Sequence, residues 1–268
     1  MNFGLIIIGD EILSGKRADK HLAKAIEILG QRGLQVAYAD YVGDDPERIT
    51  QTLRRAFDSG DVVFSFGGIG ATPDDHTRQC AANALGVDLA LHPQARDLIL
   101  ERMQDVAREQ GTPYEPDRPD NQQRLNMGMF PVGAAIIPNP FNKIAGFFCK
   151  GKQGGVHFVP GFPVMAWPMV AWVLDTHYAD QFRLGAWQEK SIIVLGAMEA
   201  TLTPLMESIE REFAVKVFSL PSVDHPTYGR HIELGVKGAP DAVESAYAAL
   251  LQGLRQAGVT LGPELVRH

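Results

Sequence analysis

The chain has 268 residues, 45% of them hydrophobic, and a formal net charge of −7 from 25 Lys and Arg against 32 Asp and Glu. That length buries a sizeable core and suits one large domain or one large plus one small, while the acidic balance argues against a nucleic-acid-binding surface, which needs clustered Lys and Arg. Cys80 and Cys149 form no C-x-x-C pair, which speaks against a disulfide framework or a zinc site, and no apolar run approaches a membrane span, so a cytoplasmic protein with no membrane partner is expected.

Gly4 to Ile8 reads as a buried strand and runs into Gly9-Asp10-Glu11. Leu22, Ala25, Ile26 and Leu29 recur at helical spacing, and Leu34 to Tyr41 is a second strand running into Gly43-Asp44-Asp45-Pro46. Ile49, Leu53, Ala56 and Phe57 mark the next helix, and Asp61 begins a third strand that ends at Phe66. Strict alternation of strand and helix implies a parallel sheet with right-handed crossovers. The ligand crevice of an open sheet lies beyond the carboxyl ends of its strands, so Asp10, Glu11, Asp44, Asp45, Asp74 and Asp75 are candidates to converge on one edge. The plainer reading is that about half of these acids start the following helices.

After the third strand comes Gly67-Gly68-Ile69-Gly70-Ala71-Thr72-Pro73-Asp74-Asp75-His76-Thr77. Clustered glycines let backbone amides approach a ligand, and a helix N-terminus adds its positive dipole end, so the run reads as a phosphate cradle. A turn with Asp as N-cap is the alternative. The run fits neither the P-loop nor the dinucleotide pattern. Asp74 and Asp75 would repel a bare phosphate, which points to a bridging hard cation, Mg²⁺ or Mn²⁺, because the converging acids come without Cys or His. A valine at Gly68 is expected to abolish binding while leaving most of the fold intact.

Ala95, Leu98, Ile99, Met103 and Val106 form an ordinary core-facing helix stripe, and residues 111–133 read as a long surface segment with one short helix. Ala134 to Ile137 is a strand before a loop that would bring Lys143 to a phosphate. Val156 to Val159 ends in Pro160-Gly161-Phe162-Pro163, where Gly161 again suits close backbone approach or equally a tight turn. From Leu184 to Glu189 the pattern changes, dividing the chain into a domain at 1–184 and a small α+β domain at 185–268. The β-α-β-β-α order of the small domain is KH-like, without the G-x-x-G loop or basic surface of an RNA binder.

The motifs Gly9-Asp10-Glu11-Ile12-Leu13-Ser14-Gly15, Val42-Gly43-Asp44-Asp45, Gly67 to Thr77 and Pro160-Gly161-Phe162-Pro163 resemble, in residues and in order, the CinA-like branch of the molybdopterin-binding MoaB/Mog superfamily. The resemblance covers residues 3–178, and the C-terminal part is similar to the KH-like middle domain of longer CinA proteins. It implies an α/β fold with three α/β/α layers and a mostly parallel sheet. It also implies a homo-oligomer, with a dimer favoured, and a pterin or nucleotide bound by its phosphate at the strand edge. CinA-like members are associated with metal-dependent ADP-ribose pyrophosphatase activity; Mog-type relatives adenylylate molybdopterin, and a site that positions no water is a binding module only. By matching position Asp10, Asp44 and Asp75 would hold the metal, and Glu11 and Asp75 would be catalytic, with His76 a second candidate base. Gly9, Ser14, Gly67, Gly68, Gly70, Thr72, Lys143 and Gly161 would contact ligand or phosphate. Nothing here matches the deamidase domain of longer CinA proteins, so nicotinamide mononucleotide deamidation is not expected.

Three departures from the family pattern bear on the site: Lys16-Arg17-Ala18-Asp19-Lys20-His21 replaces a Gln- and Asn-rich run, Ala71 replaces Pro, and Asn142-Lys143 replaces Gly-Thr. The basic residues between Lys16 and His21 either meet a more anionic ligand or lie on the exposed face of the first helix.

Overall fold

The computed structural model of the protein describes residues 1–185 and 187–267. It divides into two compact units, Met1–Phe182 and Arg183–His268, rather than at 184/185. In the first unit β1 (Phe3–Ile8) is followed by the single-turn α1 (Asp10–Leu13), α2 (His21–Gly30), β2 (Val36–Val42), α3 (Pro46–Asp58), β3 (Val62–Phe66) and α4 (Thr77–Leu85). Then come β4 (Leu89–Leu91), α5 (Pro93–Gln110), α6 (Pro119–Arg124), β5 (Met129–Pro131), β6 (Ala135–Ile137), β7 (Gly146–Lys150), β8 (Gly155–Val159) and α7 (Pro163–His177).

The main sheet has the order β2-β1-β3-β8-β7-β6. β1 pairs in parallel with β2 and β3, and β3 with β8; β7 runs antiparallel to both neighbours. Alternate side chains of one strand face opposite layers, which explains the uninterrupted apolar run of β1. Phe3, Leu5 and Ile7 enter the core shared with α2 and α7, while Ile6 and Ile8 enter the core shared with α3, α4 and α5. The unit is therefore a three-layer α/β/α sandwich. Ile26, expected on the buried stripe of α2, is exposed, and Ile28 takes its place beside Ala25 and Leu29.

The second unit contains β9 (Gln188–Leu195), α8 (Glu199–Glu212), β10 (Val215–His225), β11 (Gly229–Gly238), α9 (Pro240–Gln256) and β12 (Thr260–Arg267), in an antiparallel sheet of order β10-β11-β9-β12. The sixth element, β12, corrects the five-element KH-like expectation: β-α-β-β-α-β is the ferredoxin-like, split-βαβ order. Gly262-Pro263 interrupts the strand pattern in the sequence, and the structure absorbs it as a register shift between Leu261 and Glu264. Among the described residues no helix is long and apolar enough to cross a membrane.

One buried group sets an acid limit on the fold. His157 on β8 is 2% exposed, stacked between Phe64 and Phe148, and its Nε2 lies 2.9 Å from the Tyr178 hydroxyl. Burial, with a smaller contribution from His177, pulls its pKa down from 6.5 to about 3. The unfolded chain thus binds a proton that the folded one refuses, so stability is full above pH 6.5 and falls as the pH drops toward 3. The slope is about 1.4 kcal/mol per pH unit. Urea unfolding at pH 7.5 and 5.0 should show a loss of about 2 kcal/mol from this group, and His157→Phe should remove that part of the pH dependence. An unchanged pH profile in the variant would show that His157 is not the group responsible.

Candidate functional site

The strand order reverses direction at β1: α2 carries the chain to β2 on one side, and α3 returns it to β3 on the other. In an open α/β sheet the crevice at such a switch point, outside the carboxyl ends of the strands, is the natural ligand position. Here it lies between Gly9 and the run that starts at Gly67. Gly9 N–H donates to Val42 O at 3.0 Å and Gly67 N–H to Val159 O at 3.1 Å, so the loop starts are continuations of the sheet ladders.

Beyond Gly67 the loop turns its carbonyls inward. Thr77 Oγ1 donates to Gly67 O at 3.1 Å and Thr77 N–H to Gly68 O at 3.0 Å. The guanidinium of Arg78 then donates through Nη1 to the carbonyls of Ile69 and Gly70, the latter at 2.6 Å. Four consecutive carbonyls are thereby held by the first two residues of α4. The amides of Gly68, Ile69, Gly70 and Ala71 have no hydrogen-bond partner among the described residues. Buried Ile69 anchors the loop to the core. Carbonyls withdrawn and amides left over are the requirement of an anion-binding nest.

The acids take distinct places around it. Asp10 and Asp44 clamp the ends of β1 and β2 reciprocally: Asp10 N–H donates to Asp44 Oδ2 at 2.9 Å, and Asp44 N–H to Asp10 Oδ1 at 3.1 Å. Each keeps one oxygen outside that clamp. Burial pushes the Asp44 carboxyl above its ordinary pKa, and the charges of Asp10, Glu11 and Asp74 add to this despite the Asp10 amide. Glu11, half-buried, folds its carboxylate back over Gly9, and Ser14 is the exposed C-cap of α1. Asp75 Oδ2 accepts from Thr72 N–H at 2.8 Å and Thr72 Oγ1 at 2.5 Å, which closes the loop on itself. Asp45 is simply the N-cap of α3, accepting from Arg48 N–H, and His76 is the N-cap residue of α4.

Two expectations are corrected. Lys143 is not offered to a phosphate: its Nζ lies 2.7 Å from Asp105 and 3.3 Å from Glu101 of α5, so its charge is neutralised locally. The three acids Asp10, Asp44 and Asp75 do not form a cage, since among the described residues no group of three or more His, Cys, Asp or Glu side chains is placed to hold a metal ion. Gly161 does reach the cradle; a Cβ there would stand 3.4 Å from Gly67 Cα.

Two buried side chains that hold the loops were not expected there from the sequence. Arg78 is 3% exposed, and His21 is buried with Nε2 3.0 Å from Gly161 O and its ring stacked on Phe66 at 4.5 Å. Lys16, Arg17 and Lys20 are exposed on the loop before α2, so of that basic run only His21 turns inward. The signal was helical phase: Arg78 stands three and four residues before buried Ala81 and Ala82, and His21 four and seven before buried Ala25 and Ile28.

The family model described as a probable molybdopterin binding domain matches residues 4–178. A CinA-like protein of Citrifermentans bemidjiense is 31% identical over 207 residues, covering 77% of this chain and 47% of the relative. A putative competence-damage inducible protein of Alkaliphilus metalliredigens is 33% identical over 171 residues, 63% of this chain and 39% of the relative, so the chain spans half or less of these two proteins. The crystal structure of a CinA protein of unknown function from Thermoplasma acidophilum superposes with a TM-score of 0.54 at 28% identity, covering 65% of this chain and 96% of that one.

Proposed function

The chain belongs to the MoaB/Mog-type molybdopterin-binding-domain family, in its CinA-like branch, and from that premise we propose that the crevice between β1 and β3 binds the phosphate or diphosphate of a pterin or nucleotide together with a divalent cation. The observation that carries this reading is the loop after β3, where the carbonyls of residues 67–70 are taken internally while the amides of residues 68–71 have no partner among the described residues. The N-terminus of α4 behind it adds a favourable dipole.

The acids explain the cation. Asp44 already resists ionisation, first because it is partly buried and then because of its carboxylate neighbours, and an arriving phosphate would add to that repulsion. Mg²⁺ is commonly held by one or two carboxylates plus substrate phosphate oxygens and water, and the free oxygens of Asp10 and Asp44 suit this mode, while Asp75 braces the cradle through Thr72. Such a cation supplies charge neutralisation of the diphosphate. The protein's own part is to hold the phosphate on the 68–71 amides and to place Glu11 as the acceptor of a water proton. The reaction this supports is hydrolysis of a nucleotide diphosphate of the ADP-ribose type.

Thermal unfolding with ADP-ribose, ATP, flavin nucleotides and molybdopterin, each with and without Mg²⁺ or Mn²⁺, tests binding; a ligand at one hundred times its Kd adds about 2.7 kcal/mol of stability. Chromatography of ADP-ribose incubations tests turnover. Products are expected with a divalent cation, and Asp44→Asn should abolish them, because the amide keeps an acceptor for the Asp10 N–H but loses the charge that attracts the metal. ADP-ribose bound yet intact with every cation would leave a binding module in place of a hydrolase.

A further inference from the structure

We propose that His21 is a positioning residue of the phosphate cradle, a neutral strut that holds the turn at Gly161 against Gly67 and lets go of it in acid; this rests on the phosphate reading above and adds a pH control to that site. His21 belongs to the run Lys16 to His21, where the chain departs from the Gln- and Asn-rich pattern of its family. Lys16, Arg17 and Lys20 are exposed, and of the basic residues in the run only His21 is buried. An amide at this place could not titrate; an imidazole can.

The contacts of His21 bridge several strand ends. Its ring stacks on Phe66, the last residue of β3, with centroids 4.5 Å apart, and its Nε2 lies 3.0 Å from Gly161 O in the turn after β8. Behind the ring, Asp19 accepts from His21 N–H at 2.8 Å, from Leu22 N–H at 3.1 Å and from the Tyr41 hydroxyl of β2 at 2.8 Å. In the sheet order β2-β1-β3-β8 this path runs from β2 past β1 to the ends of β3 and β8. It finishes on the cradle, because Gly67 follows Phe66 and a Cβ at Gly161 would stand 3.4 Å from Gly67 Cα. Among the described residues nothing else bonds to the Gly161 carbonyl.

A carbonyl accepts only from an N–H, so the neutral ring carries its proton on Nε2 and a lone pair on Nδ1. That Nδ1 is buried and has no partner among the described residues. A second proton would have to sit there, on a ring 6% exposed, without an acceptor. Burial accordingly moves the imidazole below its ordinary 6.5, against smaller opposing contributions from the Gly161 bond and the Asp19 charge. Phe66 and Gly161 bring no charge to it. Tyr41 stays un-ionised, pushed up to about 12 by burial and by Asp19, and Lys24, one turn further along α2, is paired with Glu27. Proton uptake therefore favours a ring that has left its pocket for water. The seated ring is fully favoured above pH 6.5 and loses about tenfold per pH unit below it until the lowered value is reached. One hydrogen bond holds its partner by only about two- to tenfold, so the strut gives way within a unit or two of 6.5.

Glutamine separates the strut from its titration, because its amide keeps an N–H donor and takes up no proton in this range. Calorimetry with inorganic pyrophosphate in Mg²⁺, on the full chain and its His21→Gln and His21→Phe variants at pH 7.5 and 5.5, reads both. Titration of the pyrophosphate and of the site carboxylates is common to all three proteins, so the ratio of wild type to variant isolates His21. At pH 7.5 His21→Gln should bind as the wild type does and His21→Phe about fivefold more weakly. At pH 5.5 the wild type should have lost about fivefold relative to His21→Gln. Equal pH profiles in these two overturn the proposal and leave the cradle standing, as does full affinity in His21→Phe. Wild-type affinity that rises in acid relative to His21→Gln would make the imidazolium a direct phosphate contact and overturn the strut as well. In the ligand-free protein, the NMR amide signals of Gly67 and Gly161 should move with the His21 titration and stay fixed in His21→Gln. That result without pyrophosphate binding at either pH would uphold the strut and count against the cradle, whereas signals that stay fixed in the wild type would overturn the strut.

Discussion

Alanine at Gly68 should destabilise the protein by about 2–5 kcal/mol, against about 1–2 kcal/mol for alanine at Gly86. Both glycines have left-handed backbone, with φ of 67° and 69°, so both substitutions carry the same conformational cost. They differ in what the new methyl meets. At Gly86, the C-cap of α4, nothing lies within 4 Å, whereas at Gly68 the methyl would collide with Thr77 Oγ1 and stand 3.2 Å from Thr77 Cβ. Thr77 cannot swing aside freely, because its hydroxyl and amide hold the carbonyls of Gly67 and Gly68. Urea unfolding of the two variants reads the difference, and equal losses would mean that Thr77 yields without cost. Valine at Gly68 should be worse still, so the expectation of an intact fold that merely fails to bind is overturned: that glycine is demanded by the protein's own packing before any ligand arrives.

The same distinction governs what could be read from the residues. The strands β1, β2 and β3 and their acid-tipped ends were legible because both faces of a parallel sheet are covered, which leaves continuous apolar runs such as Leu5 to Ile8, and because glycine follows each strand where the chain must turn sharply. β7 was missed. Its five residues follow directly on the Asn139 to Ala145 loop, and what makes them a strand is pairing with β6 and β8 on either side. The ribbon of β4 and β5, three residues each, carries no period at all. At the site, the glycines and acids announced themselves by type, but their partners did not. Lys143 drew attention as a cation near a loop and is spent on Asp105, while Arg78 and His21, the groups that shape the loops, sit in helices where charged residues are ordinarily solvated.

Arg78→Met should therefore do more damage than any change to an exposed acid of the site. Burial disfavours the guanidinium charge, and the nearby Asp75 carboxylate works in the opposite direction. What holds the cation inside is its pair of bonds to the carbonyls of Ile69 and Gly70. Hydrogen bonds to charged groups contribute about 1.5–3 kcal/mol each, and removing the donor leaves carbonyls unpaired. Part of that loss is offset because methionine carries no desolvation cost, so the net expected destabilisation is about 2–4 kcal/mol. For a domain of this size that is a fall of roughly 5–15 °C in Tm. The second effect concerns function. With Ile69 and Gly70 released, their peptide planes are free to rotate, and each rotation would turn a carbonyl oxygen toward the phosphate in place of an amide, so pyrophosphate affinity in Mg²⁺ should fall by more than tenfold. Arg78→Lys separates the two effects: it keeps a buried charge but not the planar fork. Affinity that tracks the fork while Tm tracks the charge would identify Arg78 as the residue that positions the cradle. If Arg78→Met unfolds at the wild-type temperature and still binds pyrophosphate, the loop holds its shape without the guanidinium, and the cradle must be set by Thr77 and the sheet ladders alone.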